Sequence, residues 1–497
     1  MSYWAQSSRR VPRQRAIFDR RAITAAIDPL VDEFGETSRS YVLAELRAAL
    51  EAGRTELERR LSDKPSAGHE ITLGYAFLTD QLIRVIHDYV TAHVFPIANR
   101  TTAERLAVLA VGGYGRAEMA PHSDVDIAFI TPMKRAPWCE QVIEAMLYLL
   151  WDLGLKVGHS SRTIGDTMRM AKEDLTIRTA LLESRLIWGD QELYEELRQR
   201  FWSDVVRGQE RQFHSAKLEE RNQRHKRMGD SRYVVEPNVK EGKGGLRDLQ
   251  TLYWIGKFAH RVESAAQLVD VGLFSKSEYR SFRRAEGFLL AARSHMHSIT
   301  GRAEDRLTFD LQRQVAEAMN FADRPGKSAV ERFMQYYFLQ AKRVGHLTGI
   351  FLSQLDAKLA KKRVGSGFFA GFSAKPRMHK GYRIESGRIK APSDTWFMDD
   401  PVRLIEIFQI AETEGVEIHP ETMRLADRDA KLIDRRVKSD PRANALFLEV
   451  LAGRKDPESA LRWMNEAGVF GRFVPDFGRV NAQMQFDMYH HLSLIHI

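Results

Sequence analysis

Residues Val108 to Ile130 read VLAVGGYGRAEMAPHSDVDIAFI. Two apolar runs, RLAVLAV and VDIAFI, have the length and composition of buried strands, and between them lie a glycine-rich turn and two carboxylates, Asp124 and Asp126. Side chains at i and i+2 of a strand share a face, so the two Asp project together while Val125, Ile127 and Phe129 pack the other side. Paired carboxylates on one face suit a hard cation such as Mg²⁺, which proteins hold with one or two carboxylates plus the phosphates of the substrate. Upstream, Gly112, Gly113 and Gly115 carry no Cβ and let backbone N–H groups approach a triphosphate, with Arg116 as a charge-assisted partner. The combination reads as a device that fixes a nucleoside triphosphate by its phosphates and presents it to metal for in-line attack. A plain turn and a solvated strand start would explain either half alone, but not both at this spacing.

The rest of the chain sets the bounds. Its 497 residues predict two to four domains, and 43% hydrophobic with 28% charged residues is the balance of a folded globular protein. Seventy-five Lys plus Arg against 66 Asp plus Glu leave a net charge of +9, a small excess compatible with a polyanionic ligand such as nucleic acid or a nucleotide; no nucleic-acid partner is expected. The single cysteine, Cys139, excludes an intrachain disulfide framework and a cysteine-ligated zinc site, and fits a reducing cytoplasm. No apolar run approaches the ~20 residues that span a bilayer, so no membrane partner is expected.

Along the chain, residues 1–27 form a basic arm carrying Arg9, Arg10, Arg13, Arg15, Arg20 and Arg21. Residues 28–190 read as a helical lead-in followed by strand, turn, strand, helix, strand, helix. Pro137 opens a helix whose Ile143, Met146, Leu147, Leu150 and Trp151 share one face, and Gly154 closes it. LKVGHSSRT is the third strand, after which Thr163 and Asp166 resemble an N-cap pair. Residues 191–362 are almost wholly helical, broken by EPNVKEGKGGLRD; 363–395 read as a linker with a small β element, YRIESGRIKA; 396–497 are helical again. The fold class is α+β: a polymerase β-like nucleotidyltransferase domain followed by mostly helical domains.

The order G-G-Y-G-R-x-E, then S-D-V-D and an apolar strand, resembles the DNA polymerase β-type nucleotidyltransferase superfamily. More closely, VGGYGRAEMAPHSDVDIAFI, VGHSSRT, LLESRLIWGD, RNQRH, EPNVKEGKGGLRDLQTLYWI and FDMYHH lie in the order of the PII uridylyltransferase/uridylyl-removing enzymes, over roughly residues 25 to 491. The resemblance implies transfer of UMP from UTP to a tyrosine of the PII nitrogen-signalling protein with release of pyrophosphate. Gly112 and Gly113 would hold the phosphates, and Asp124 and Asp126 would hold Mg²⁺. Superfamily members often take a third carboxylate from a later strand; LKVGHSS offers none, which leaves Asp174 on the following helix as the candidate.

The glycines of EGKGGLRD could offer helix N-terminal N–H groups to an anion, with Lys243 and Arg247 adding charge, or the segment could be a turn in which Arg247 and Asp248 pair. His295 and His297 read as structural. His159 could line the cleft or be a buried, satisfied histidine. Full-length relatives continue past MYHH into an HD-type phosphohydrolase domain and two glutamine-sensing ACT domains. On that resemblance the chain is expected to end within the start of the hydrolase domain, to keep at most the transferase half-reaction, and to expose Phe470, Phe473, Phe477 and Met484. His490, His491 and His496 form no hydrolase centre on this reading, and the closing LSLIHI departs from the family pattern. Two other function classes fit the same metal site: nucleotidyl transfer to RNA ends, and a catalytically inactive nucleotide-binding regulator.

Overall fold

A computed structural model describes residues 11–99, 101–134, 136–229, 232, 234–364, 377–385 and 387–480. The chain forms two compact units, one of residues 1–231, 236–263 and 283–333, the other of 232–235, 264–282 and 334–497. The expected boundaries at 190 and 362 therefore do not coincide with the compact units, because helices beyond 190 share a core with the sheet.

In the first unit, three long helices precede the sheet among the described residues: α1 (Arg20–Phe34), α2 (Arg39–Asp63) and α3 (Gly68–Tyr89). Asp19 caps α1 by accepting from the amides of Arg21 and Ala22. The sheet holds β1 (Ala107–Ala110), β2 (Val125–Thr131), β3 (Val157–Thr163) and β4 (Arg185–Gly189), in the order β3-β2-β1-β4. β1 is antiparallel to β2 and β4, and β2 is parallel to β3. Strand alternation divides the sheet's apolar residues between two cores. Val108, Ala110, Val125, Ile127 and Phe129 pack with α2, α3 and α5 (Pro137–Asp152), while Ala107, Leu109, Ala128 and Ile130 face the other side. That second core takes in α6 (Ile164–Glu173), α7 (Leu175–Leu182), α8 (Gln191–Arg200), Phe213 of α9 (Glu210–Arg227), and Trp254 and Phe258 of α10 (Leu246–His260). The unit also contains α11 (Lys276–Thr300) from Arg283 onward and α12 (Phe309–Ala318).

Three local expectations need correcting. β4 was not read as a strand; it comes from LLESRLIWGD, whose five strand residues include two charged or aromatic-polar positions that mask the alternation. The GGYG turn is a single helical turn, α4 (Gly112–Gly115). Trp151 does not share the buried face of α5 but is 43% exposed, because at about 100° per residue it has rotated off the face that Ile143, Met146 and Leu150 bury. Thr163 does cap α6, its hydroxyl accepting from the amide of Asp166 at 3.1 Å.

The second unit contains α13 (Ala329–Val364) from Met334 onward and a small sheet of β5 (Arg377–His379), β6 (Tyr382–Glu385), β7 (Arg388–Lys390) and β8 (Glu417–Ile418). Tyr382 and Ile389 are fully buried in one core with Phe408, Leu446 and Met464, so the expected linker hairpin is an integral part of the domain that follows it. Phe473 is buried and packs on Phe447, while Phe470 stacks on Phe477 at 4.0 Å, in place of the exposed surface expected of them. Arg9, Arg10, Met484, His490, His491 and His496 lie outside the described residues. Among the described residues no helix is long and apolar enough to cross a membrane.

Candidate active site

β1 runs into Val111, whose amide donates to the carbonyl of Asp126 at 3.0 Å and so fixes the end of β1 against the start of β2. Gly112 then turns the chain with φ 61°, a left-handed conformation that costs a glycine little. Tyr114 anchors the turn from below. Its hydroxyl donates to Asp80 of α3 at 2.8 Å, and Arg185 of β4 grips the same carboxylate at 2.7 and 3.0 Å while donating to the Tyr114 carbonyl at 3.2 Å. Asp80 and Arg185 are 1% and 2% exposed, so this is a buried charge pair. A Cβ on Gly115 would overlap the Glu183 carbonyl, which shows how closely the turn packs on the end of α7.

Asp124 is exposed just before β2, and Asp126, one step in, is half-buried; both line the cleft above the glycine turn. Asp126 pairs in register with Gly158 of β3. A Cβ on Gly158 would stand 2.5 Å from Asp126 Oδ1, and one on Gly112 would stand 3.2 Å from Oδ2. Two glycines thus make the cradle in which this carboxylate lies. Burial pushes the Asp126 carboxyl above its ordinary range and the charge of Asp124 adds to the shift, while Lys240 works against it. An acceptor-only pair of this kind, destabilised as two anions, fits Mg²⁺, and Asp124 and Asp126 are the residues that would hold it.

Asp174 is not beside this pair. Its carboxylate caps α7, accepting from the amides of Thr176 at 2.6 Å and Ile177 at 2.9 Å. Among the described residues no cluster of three or more metal-ligating side chains occurs. The carboxylate that does approach is Glu183, buried just after α7 and lining the cleft on both sides of Asp126. It accepts from Arg116 and from the indole N–H of Trp254. Arg116 therefore lines the cleft with both its faces engaged, by Glu183 and by Glu118 at 2.8 Å.

The EGKGGLRD segment differs from both of its sequence readings. The first amides of α10 are not free for an anion: Leu246 donates to Val239 at 3.0 Å and Arg247 to Lys240 at 2.9 Å. Nor does Asp248 pair with Arg247. It is buried against Arg224 and His225 of the RNQRH segment, with His225 Nε2 at 2.8 Å, and accepts from the Gly244 amide at 2.8 Å. Arg247 instead pairs with Glu241 at 2.8 Å and faces the cleft. Lys243 is half-buried on the same loop.

His295 Nε2 donates to the Pro65 carbonyl at 2.9 Å, and His297 lies 3.4 Å from Asp305; both are buried and structural, as expected. His159 is exposed rather than buried. It borders the cleft, but strand alternation puts it opposite Ile127, and its ring meets Trp151 edge-on at 5.9 Å, on the far face from Asp126. Sequence reasoning missed Gly158, Glu183, Asp80, Arg185 and Lys240. LLESRLIWGD, which contributes Glu183 and Arg185, stood out as a motif but carried no local chemistry.

A four-stranded sheet with a glycine turn after its first strand and two carboxylates at the head of the second defines a domain of the nucleotidyltransferase type. Residues 212–352 match the family described as GlnD PII-uridylyltransferase, and residues 382–473 the one described as uridylyltransferase GlnD third domain. The chain belongs to the GlnD uridylyltransferase family. Over 98% of its length it is 68% identical to the bifunctional uridylyltransferase/uridylyl-removing enzyme of Erythrobacter litoralis and 64% identical to that of Novosphingobium aromaticivorans, covering 53% of each. The enzyme of the same name from Rhodospirillum rubrum is 46% identical over 97% of the chain, which covers 51% of it. The chain spans about half the length of the curated relatives it matches.

Proposed function

We propose that this chain is a cytoplasmic protein uridylyltransferase that moves UMP from UTP onto a tyrosine hydroxyl of a PII-type signalling protein and releases pyrophosphate. The observation that carries the reading is the cradle of Asp126 between Gly112 and Gly158, with Asp124 beside it at the mouth of the same cleft. The names of the relatives support a uridylyl group, and the description of the matching family supports a PII-type acceptor. In the reaction the tyrosine oxygen bonds to the α-phosphorus, the bond from that phosphorus to the pyrophosphate breaks, and the hydroxyl proton leaves to solvent or a nearby base. Asp124 and Asp126 hold Mg²⁺, which when bound offsets negative charge on the phosphate oxygens. The glycine turn lets the phosphates lie against main chain, and the Asp80–Arg185–Tyr114 anchor keeps that turn from yielding as charge develops.

The test is incubation of the purified chain with α-labelled UTP, Mg²⁺ and a PII-type protein. Label in the protein, lost when its acceptor tyrosine is replaced by phenylalanine, supports the reading. Label in RNA, or bound nucleotide without turnover, replaces it with one of the two other function classes.

A further inference from the structure

The GGLRD segment and the RNQRH segment have structural partners but no part yet in the chemistry. Their arrangement converges on one side chain. Lys240 lies on the loop between Asn238 and Gly245 and lines the same cleft as Gly112, Gly113, Asp124 and Asp126. Its main chain is fixed on both sides. Asn238 Oδ1 accepts from the amides of Lys240 at 3.0 Å and Glu241 at 2.6 Å, and the Lys240 carbonyl accepts from Arg247 at 2.9 Å. Val239, next to it, donates to the Asp305 carbonyl at 2.9 Å. Behind the loop, Asp248 joins Gly244 to Arg224 and His225. A loop this well held is built to place something.

What it places is distinguished from the other cations of the cleft by its engagements. Arg116 lies between Glu118 and Glu183, Arg247 is paired with Glu241 at 2.8 Å, and Arg293 donates to Asp305 at 2.6 Å. The Lys240 ammonium stands 3.8 Å from Asp305 Oδ2, an ion pair beyond hydrogen-bond reach, while Arg293 holds Oδ1 of the same carboxylate. Burial pushes its pKa down, and its charge is felt at Asp126. A half-buried ammonium facing two carboxylates across a cleft floored by glycines leaves room for a further anion between them.

We infer that Lys240 is a binding residue for the departing pyrophosphate, presented to the β- and γ-phosphates of the nucleotide by the loop that Asp248 anchors. The inference rests on the transferase reading above, but its main test, pyrophosphate binding, needs neither a uracil nor an acceptor. An ammonium at this point neutralises charge that grows on the leaving group as its bond to the α-phosphorus breaks, and it holds the product until release.

The experiment is calorimetric titration of inorganic pyrophosphate with Mg²⁺ into the whole chain and its K240M, K240R and K243M variants, each first checked by thermal melting. Loss of a charge-assisted contact predicts roughly tenfold weaker pyrophosphate binding for K240M, with K240R within about threefold of wild type. K243M, on the same loop, should bind as wild type does. UMP binding should be unaltered in all three. K240M binding pyrophosphate as tightly as wild type overturns the assignment, as does a wild-type chain that transfers UMP yet binds no pyrophosphate. Pyrophosphate binding that depends on Lys240 in a chain that fails to modify PII would retain this inference and remove the reaction proposed above.

Discussion

Asp126 and Gly158 face one another across parallel strands, and the carboxylate of the first occupies the space where a side chain on the second would begin. A strand glycine is weakly favoured for its own sake, so its presence here is explained by the approach of Oδ1. Gly158→Ala should therefore push the carboxylate out of its cradle. A shift of about 1 Å in a metal-holding group predicts a fall in turnover on the order of 100-fold, with the melting temperature little changed. Steady-state assays over a range of Mg²⁺ concentrations check this; activity within twofold of wild type would mean that the carboxylate works from another position.

Asp124→Asn and Asp126→Asn should each abolish UMP transfer. For Asp126 the sign of the stability effect follows from its raised pKa. Because its folded pKa lies above the unfolded value, ionising it destabilises the fold progressively as pH climbs through that interval, and the loss persists at neutral pH. Asparagine carries no such term. Asp126→Asn should thus melt at or above the wild-type temperature at pH 7, and a clear drop in melting temperature would contradict the electrostatic account.

Gly113 is a cleaner probe of the phosphate contact than Gly112, whose φ of 61° strains any replacement. A Cβ on Gly113 meets nothing closer than 3.6 Å, so the fold tolerates it. Gly113→Val should weaken UTP binding through bulk alone while leaving thermal stability intact. Unchanged UTP affinity in a calorimetric titration would remove the turn from the binding site.

Asp248→Asn breaks a buried ion cluster and should cost about 3 kcal/mol of unfolding free energy at pH 7. Burial pushes the Asp248 carboxyl up, but the His225 hydrogen bond and the charges of His225 and Arg224 outweigh it and hold the group below its ordinary range. Its contribution is therefore complete above ~4, the unfolded value, and is lost as pH falls toward the folded one. Urea unfolding at pH 7 and at pH 3 should show the gap between wild type and variant narrowing in acid. An equal gap at both would show that the effect comes from packing.

How much of this was legible in the sequence depended on distance along the chain. The i, i+2 carboxylates, the glycine turn, the Thr163 cap and the helical lead-in are local patterns, and the sequence displays them. Arg116 looked like a phosphate ligand because its partners are not local: Glu183 is 67 residues away and its own buried position follows from α7 packing on the turn. The Asp80–Arg185 pair spans 105 residues. Gly158 read as one more residue of LKVGHSSRT, since only the strand register sets it against Asp126. Arg247 and Asp248, adjacent in sequence, invited pairing with each other, yet successive helix positions diverge by about 100°, which sends one to the cleft and the other into the core.

The knot of Asp80, Arg185 and Tyr114 joins a helix that precedes the sheet, its last strand and the glycine turn. Its consequence concerns what can be inherited as a piece. A stretch beginning at β1 would contain every residue that touches substrate in the reading above and still leave Arg185 and Tyr114 with no carboxylate to close on. Recombination or engineering that moves this chemistry to another context must therefore carry the helices from Arg39 to Tyr89 with it, and a search for minimal relatives should use Asp80 as one of its marks.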